Sequence, residues 1–389
     1  METIFWILLI VIVYSYLGYP LLLIIVNFLQ RWVKPKRKVE ISTNLPDVTM
    51  LIAAYNEIEF IEQKVNNTLS LNYPKENLYQ IWITDGSDDG TYEKLKKYNE
   101  LKVYHQKERK GKTGAINRGM QYVKTPIVIF SDANAMLNKD AVKKIINEFN
   151  DPKVGCVAGE KRIQSKNKTS AVNAGEGIYW KYESIIKTCE SNLNSALGAA
   201  GELFGIRKEL FYPIEKDTIL DDFTISMQIA EKDYKIAYSP GAYATEEASI
   251  NINEEFKRKI RIAYGGFQSL FRHTSLLNIF KHPLLTFQYI SHKVLRWLVI
   301  PFALIAIFII NLALLFKTQP LSIYFYLFFV QLFFYFTAIL GAFFQTKNIK
   351  FTIFFAPYYL VIMNLSVIMG FIRFLKKRQS VNWERAKRK

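Results

Sequence analysis

Cysteine and histidine are scarce in this 389-residue chain, two and four respectively. Cys156 and Cys189 form no metal-like pair, and His105, His273, His282 and His292 have no ligand spacing among themselves. That argues against a thiolate or imidazole metal site; the cysteines read as core thiols of a reducing compartment, and the histidines as surface or headgroup residues. Charge is missing from four stretches, Thr3 to Gln30, Trp297 to Phe316, Thr318 to Thr346 and Phe351 to Ile372. Each exceeds the roughly 18 apolar residues that cross a bilayer as a helix, which excludes a single soluble domain. The first run also lacks the basic start and small-residue end of a cleaved signal peptide; it opens Met1-Glu2-Thr3, runs into Arg31-Trp32, and reads as an anchor.

Acidic residues are outnumbered, 34 against 51 basic ones, for a net charge of +17. No aromatic-and-basic recognition module accompanies that charge, so no nucleic-acid partner is expected. The basic residues crowd beside the apolar runs, from Arg31 to Lys38 and from Lys376 to Lys389, where they mark the cytoplasmic side and attract anionic lipid headgroups. The chain therefore reads as an integral membrane protein of a bacterial-type inner membrane, its central part cytoplasmic. There is no internal repeat and no low-complexity tract.

Between Leu45-Pro46 and about Ser249, short apolar strands alternate with amphipathic stretches, the pattern of a mainly parallel sheet with helices on both faces. Strands are expected at Val48 to Ala54, Tyr79 to Thr84, Lys102 to Gln106, Ile127 to Ser131, around Val154 to Ala158, and at Leu203 to Arg207. Helices are expected over Glu57 to Leu71, where Ile58, Ile61, Val65 and Leu69 share a face, then over Thr91 to Tyr98, Thr113 to Val123, Asp140 to Phe149, and around Ala171 to Cys189 and Phe223 to Glu231. From Asn251 to Arg296, charges such as Arg258, Lys259 and Arg261 interrupt an apolar face of Phe267, Leu270 and Phe271, the composition of helices lying in the headgroup layer.

Polar residues gather where the strands end. Asp132-Ala133-Asn134 closes the apolar run from Thr125 to Ser131, and Asp85 closes the run from Tyr79. Such strand ends are where open α/β sheets bind ligands. The loops Ala53-Ala54-Tyr55-Asn56-Glu57, Asp85 to Thr91, Arg109 to Ala115 and Ser131 to Asn134 fall at one edge of one sheet, and Asp221-Asp222 adds a further acidic pair. Gly111-Lys112-Thr113 is no P-loop, because the glycine that motif needs is replaced by Gln106.

The order and spacing of these loops, from about Val48 to Gly266, resembles family-2 glycosyltransferases, inverting enzymes with a Rossmann-like nucleotide-sugar domain of GT-A type. It is similar to the membrane-anchored synthases among them, of the hyaluronan, poly-N-acetylglucosamine and cellulose type. The resemblance implies an α/β fold with N- and C-terminal transmembrane helices: a helix over 1–30, a basic linker over 31–46, the glycosyltransferase domain over 47–250, interfacial amphipathic helices over 251–296, transmembrane helices over 297–375, and a basic cytoplasmic tail over 376–389. If all four apolar runs cross, that tail emerges on the far side, against its own charge. Either the stretch around Pro357 is re-entrant or lies on the surface, since proline frees a backbone carbonyl, or a further crossing lies within Leu276 to Ile300.

The resemblance also implies roles. Asp85 accepts hydrogen bonds from the base, the main chain at Ala53 with Tyr55 and Glu57 frames base and ribose, and Lys112, near Arg109 and Lys110, adds positive charge at the phosphates. Asp132 holds a Mg²⁺ or Mn²⁺ ion on the diphosphate; Asn134 stands where the family carries a second acid and brings an oxygen without charge. Asp222 is the expected general base, with Asp221 in place of the family's glutamate. Gly201 and Glu202, in a small-residue loop, are expected on the acceptor side. The stretch Lys257 to Ile262 aligns with the Gln-x-x-Arg-Trp of processive synthases, but only Arg261 matches: Arg258 replaces the glutamine and Ile262 the tryptophan. The expected partners are a nucleotide-sugar donor, a UDP-sugar carrying a hexose or N-acetylhexosamine, a lipid-linked or polysaccharide acceptor, membrane lipid, and other polysaccharide-biosynthesis proteins. Three readings stay open: single transfer, processive synthesis with export, and a non-catalytic subunit that binds sugar nucleotide or glycan.

Overall fold

The computed structural model describes residues 1–33, 45–164, 171–247, 252–346 and 352–379. Most of the expected basic linker and the last part of the basic tail lie outside the described residues. Strands β1 (Val48–Ala54), β2 (Leu78–Asp85) and β4 (Ile127–Phe130) are parallel neighbours, with β3 (Lys102–Gln106) on the outside of β2. Their side chains alternate between two cores. Leu51, Ile83 and Phe130 pack on one face of the sheet, and Met50, Ile52, Trp82 and Ile129 on the other. Burial on both faces is why these strands read as unbroken apolar runs.

The second half departs from the parallel expectation. Strand β7 (Phe204–Arg207) runs antiparallel to β4 and to β6 (Val154–Gln164), while β8 (Lys235–Glu247) is parallel to β6 and antiparallel to the short β5 (Met136–Leu137). The eight strands follow the order β3-β2-β1-β4-β7-β6-β8-β5. Because β7 is antiparallel to β4, with Phe204 opposite Phe130, the loop ahead of β7 stands at the same edge as the loops that follow β1, β2 and β4. Helices α3 (Ile58–Leu69), α4 (Thr91–Leu95), α5 (Gly111–Met120) and α6 (Ala141–Glu148) connect the first strands, and α8 (Asp221–Ala230) lies between β7 and β8.

Helices α1 (Glu2–Val13) and α2 (Tyr19–Val33) at the N-terminus form one continuous rod through a π-helical turn at Tyr14–Gly18. After β8 come α9 (Ile252–Arg272), α10 (Pro283–Tyr289), α11 (Ile300–Leu315), α12 (Ile323–Thr346) and α13 (Thr352–Leu375). A second π-helical segment, Ile290–Val299, joins α10 to α11, so the apolar rod there begins at Pro283, well before the charge-free run at Trp297. Four segments, Glu2–Gln30, Pro283–Leu315, Ile323–Gln345 and Phe354–Leu375, are long and apolar enough to cross a membrane. The last of them continues through Pro357 without a break.

The long helix α7 (Ala171–Leu193) docks the sheet on these rods. Its Glu183 bonds Arg296 at 2.7 Å and His292 at 3.1 Å, and its Glu190 bonds the other nitrogen of His292 at 2.8 Å and receives the Tyr19 hydroxyl at 2.7 Å. The first and last rods meet as well, where Asn364 donates to Tyr16 Oη at 3.1 Å. These contacts correct the reading of the histidines as surface or headgroup residues: His292, His273 and His282 are all buried, each against a carboxylate. A lone histidine carries no pattern, so the acid that permits its burial, distant in sequence, is invisible to a linear reading. Cys156 and Cys189 are buried free thiols, as expected.

Candidate active site

A cleft of about 180 Å³ opens at the shared edge of β1, β2, β4 and β7. Every residue singled out from the sequence lines it: Ala53, Tyr55 and Glu57 after β1, Asp85 at the end of β2, Lys112 in the first turn of α5, Asp132 and Asn134 after β4, Gly201 and Glu202 ahead of β7, Asp221 and Asp222 opening α8, and Arg258 and Arg261 on α9.

One wall is built around Asp85. Its Oδ2 accepts the backbone N–H groups of Lys110 at 2.9 Å and Gly111 at 2.7 Å, which ties the loop after β3 to β2. Its Oδ1 has no hydrogen bond among the described residues and lies 3.8 Å from the Arg118 guanidinium. Burial raises its pKa against those donors. Beside it the Arg109 guanidinium rests 3.7 Å from the centre of the Tyr55 ring, a cation on a flat face.

The floor is a ring of charge about one glycine. A Cβ on Gly201 would stand 3.0 Å from Lys112 Nζ, 3.4 Å from Asp222 Oδ2 and 3.7 Å from Asp132 Oδ2. Only glycine leaves that space open. Lys112 Nζ sits 2.8 Å from Asp132 Oδ1 and 3.3 Å from Asp221 Oδ2; burial works against its charge, but the carboxylates of Asp132, Asp221 and Asp222 hold its pKa well above the ordinary 10.5. Asp222 is pushed the other way for an acid. Burial, and then the charge of Asp221, raise it from 3.8 to about 7, although Lys112 and the Phe223 N–H, which donates to Oδ1 at 2.8 Å, oppose the shift. A carboxyl poised near neutrality suits proton abstraction.

The third wall comes from residues that carry no signal in the motifs above. Lys161, near the end of β6, is buried and donates to both Glu202 and Glu246. Its charge outweighs burial and holds Glu202 down to about 2. Carboxylate oxygens of Asp132, Glu202 and Glu246 lie within 4.8 Å of one another, an all-oxygen set that suits a hard divalent ion. Each of the three is paired with a lysine, Asp132 with Lys112 and Glu202 and Glu246 with Lys161, and all three line the cleft beside Asn134. On that chemistry the site fits Mg²⁺ or Mn²⁺.

Lys64 of α3 is also new. Fully buried, it donates to Ser131 Oγ at 2.7 Å and to the Ala135 carbonyl, and Ser131 in turn donates to the Glu202 carbonyl at 2.9 Å. It pins the loop that carries Asp132. The sequence held one signal for it, a lysine three residues after Ile61 on the apolar stripe of a helix. Lys161 and Glu246 gave no such signal, because a strand that ends in charged residues reads as a loop. Arg258 is tied to Glu255 at 3.0 Å, and Arg261 is largely buried, with burial lowering its pKa and its Nε making no hydrogen bond among the described residues.

Residues 49–212 match the family model described as Glycosyl transferase family 2. The chain is 31% identical over 239 residues to the poly-beta-1,6-N-acetyl-D-glucosamine synthase of Staphylococcus aureus (strain COL), a match covering 59% of this chain and 56% of that protein. It thus spans about half the length of the S. aureus relatives it matches. The synthase of the same name from Staphylococcus epidermidis is 29% identical over 360 residues, 85% of this chain and 84% of the relative. Among solved structures, a mannosyltransferase from Pyrobaculum calidifontis in complex with GDP-Man and Mn²⁺ superposes with a TM-score of 0.70, covering 97% of this chain and 99% of that one at 21% identity. At that identity the likeness speaks for the fold, and it bears out the expected GT-A-type architecture with apolar helices at both ends.

Proposed function

We propose that this chain, whose residues 49–212 match the family-2 glycosyltransferase model, moves a sugar, with inversion, from a UDP-sugar to a hydroxyl of a lipid-linked or growing glycan at the cytoplasmic face of a membrane. The observation that carries the reading is Asp222: a carboxyl raised to about 7, in the same cleft as the charges of Lys112 and Asp132. Oδ1 of Asp85, without a hydrogen bond among the described residues, takes an N–H of the base, and the main chain at Ala53, with Tyr55 and Glu57, frames base and ribose. Lys112 offsets the diphosphate charge. Asp132, with Asn134, would hold a divalent ion, which when bound supplies Lewis-acid stabilisation of the leaving diphosphate.

In the transfer itself Asp222 takes the proton of the acceptor hydroxyl, the acceptor oxygen bonds to the anomeric carbon from the face opposite the diphosphate, and the bond from that carbon to the phosphate oxygen breaks with its electrons leaving on the diphosphate. Glu202, fixed as an anion by Lys161, stands on the acceptor side with Gly201 and Asp221, and Arg258 and Arg261 approach acceptor or diphosphate from α9.

A second reading, processive synthesis of a β-linked N-acetylglucosamine polymer, is favoured by the names of the staphylococcal relatives. Ile262 weighs against it, since it offers no flat indole to a passing sugar. The deciding experiment incubates the purified protein in lipid with labelled UDP-sugars, Mn²⁺ or Mg²⁺ and crude lipid extract, with Asp222→Asn as control, and sizes the product. UDP release that vanishes in the variant supports the assignment; unchanged release in the variant overturns the base, and no turnover of any donor overturns the reading. A ladder of long products selects synthesis, a single added sugar selects transfer.

A further inference from the structure

Asp221 and Asp222 are bracketed by two apolar residues, Leu220 and Phe223. On one side, Leu220 packs on α9 at Gly265, where a Cβ would stand 2.6 Å from Leu220 Cγ and 3.0 Å from Ile219 Cβ. On the other, Phe223 packs against Trp297, with ring centres 5.7 Å apart, and Trp297 itself lies on Gly266 of α9, with ring carbons 3.0 Å from where a Cβ would be. Both brackets rest on the same helix. Trp297 belongs to the apolar rod Pro283–Leu315.

Helical periodicity divides α9 into two faces. Arg258, Arg261 and Ile262 line the active-site cleft, and Gly265 continues that side one turn on. Ala263, Tyr264, Phe267 and Phe271 face α13, where Phe267 meets Phe371 at 5.0 Å and Phe271 stacks on Phe374 at 5.4 Å. The two helices come closest at Gly370, where a Cβ would stand 2.5 Å from Ala263 Cβ and 3.0 Å from both the Ile260 carbonyl oxygen and the Tyr264 nitrogen. Two of those neighbours are backbone and cannot turn aside. Any side chain at position 370 therefore pushes α9 away from α13, and what lies on its other side is Ile219-Leu220, directly ahead of the acid pair.

We infer that Gly265 and Gly370 are positioning residues: they let α9 lie close enough to both α13 and Leu220 that the apolar helices fix where the Asp221-Asp222 pair stands over the cleft. The inference rests on Asp222 being the base. Displacement of α9 moves Asp222 with Leu220 while leaving the donor-side walls at Asp85 and Asp132, which belong to other elements, where they are. The shift also carries Arg258 and Arg261, which line the cleft from α9, so it falls on the chemical step more than on donor affinity.

The test is Gly370→Ala, alone and combined with Ala263→Gly, which removes the one side-chain atom in the way. In lipid, Gly370→Ala is expected to lower kcat about tenfold, since small misplacements in a reacting geometry cost that much or more, with KM for the UDP-sugar within twofold of wild type and the acidic limb of the pH profile displaced. Hydrogen exchange at the amides of 219–224 should quicken, and Ala263→Gly should recover part of both effects. Exchange needs no substrate, so failure of the glycosyltransfer reading is distinguishable from failure of this one. Wild-type kcat and exchange in Gly370→Ala overturn the proposal; so does a loss that falls on donor KM, or one that Ala263→Gly leaves untouched. If Gly370→Ala does not accumulate in the membrane, Gly265→Ala presses on Leu220 from the other side. The same fall in kcat and the same quickened exchange are then expected of it, and wild-type values of both overturn the proposal.

Discussion

Asp222 has two pH signatures of opposite use. As the proposed base it must be ionised, so kcat should rise as pH climbs through about 7, and Asp222→Asn should lose that rise together with about 10²- to 10⁴-fold of turnover; stopped-time UDP release across pH 5.5 to 8.5 reads both, with those limits set by the need to span about one and a half units either side of neutrality. The same shift acts on stability. A carboxyl whose folded pKa is raised above its unfolded value of 3.8 favours the fold fully below that value and loses the contribution as pH rises through about 7. Asp222→Asn, which carries no charge, should therefore unfold at a higher temperature than wild type, by a wider margin at pH 8 than at pH 5, in thermal scans of the detergent-solubilised protein. Asp132 makes a separate prediction: Asp132→Ala should abolish the response of UDP release to added Mn²⁺, since it removes one of the three carboxylates gathered there.

At the scale of elements, the first half of the sheet is legible in the sequence and the second half only in part. Runs such as Ile81 to Thr84 and Ile127 to Phe130 are apolar because both faces are buried, and each ends in the aspartate that lines the cleft. By sequence pattern β6 stops at Ala158, because Glu160, Lys161 and Arg162 look like a loop; the strand in fact continues to Gln164 beside β8, whose own signal is broken at Pro240-Gly241. Their polar side chains are compensated by one another, a pairing that no window of sequence contains. The docking of α7 follows the same rule. Burial disfavours the Glu183 charge, but His292, Lys293 and Arg296 hold its pKa well below 4.5. Glu183→Ala strands those cations and should cost roughly 3–5 kcal/mol, read as a lowered thermal midpoint at pH 7. A depressed acid contributes above its unfolded pKa and loses the contribution as pH falls through the folded one, so the gap between variant and wild type should begin to narrow only once the pH is taken below about 4.5.

For the whole molecule, four long apolar rods and an acid-lined cleft lie in one chain, so alkaline carbonate should leave the protein in the membrane pellet and only detergent should release it. The bond between Tyr16 and Asn364 joins helices 348 residues apart, and Arg296 also reaches the Ser15 carbonyl. During synthesis, then, Tyr19 meets Glu190 midway, but the Tyr16 hydroxyl on the first rod waits for Asn364 until almost the entire chain has been made. A nascent chain stalled before Thr352 would present that unpaired surface to the quality-control proteases of the cell, whereas one released after Leu375 would not.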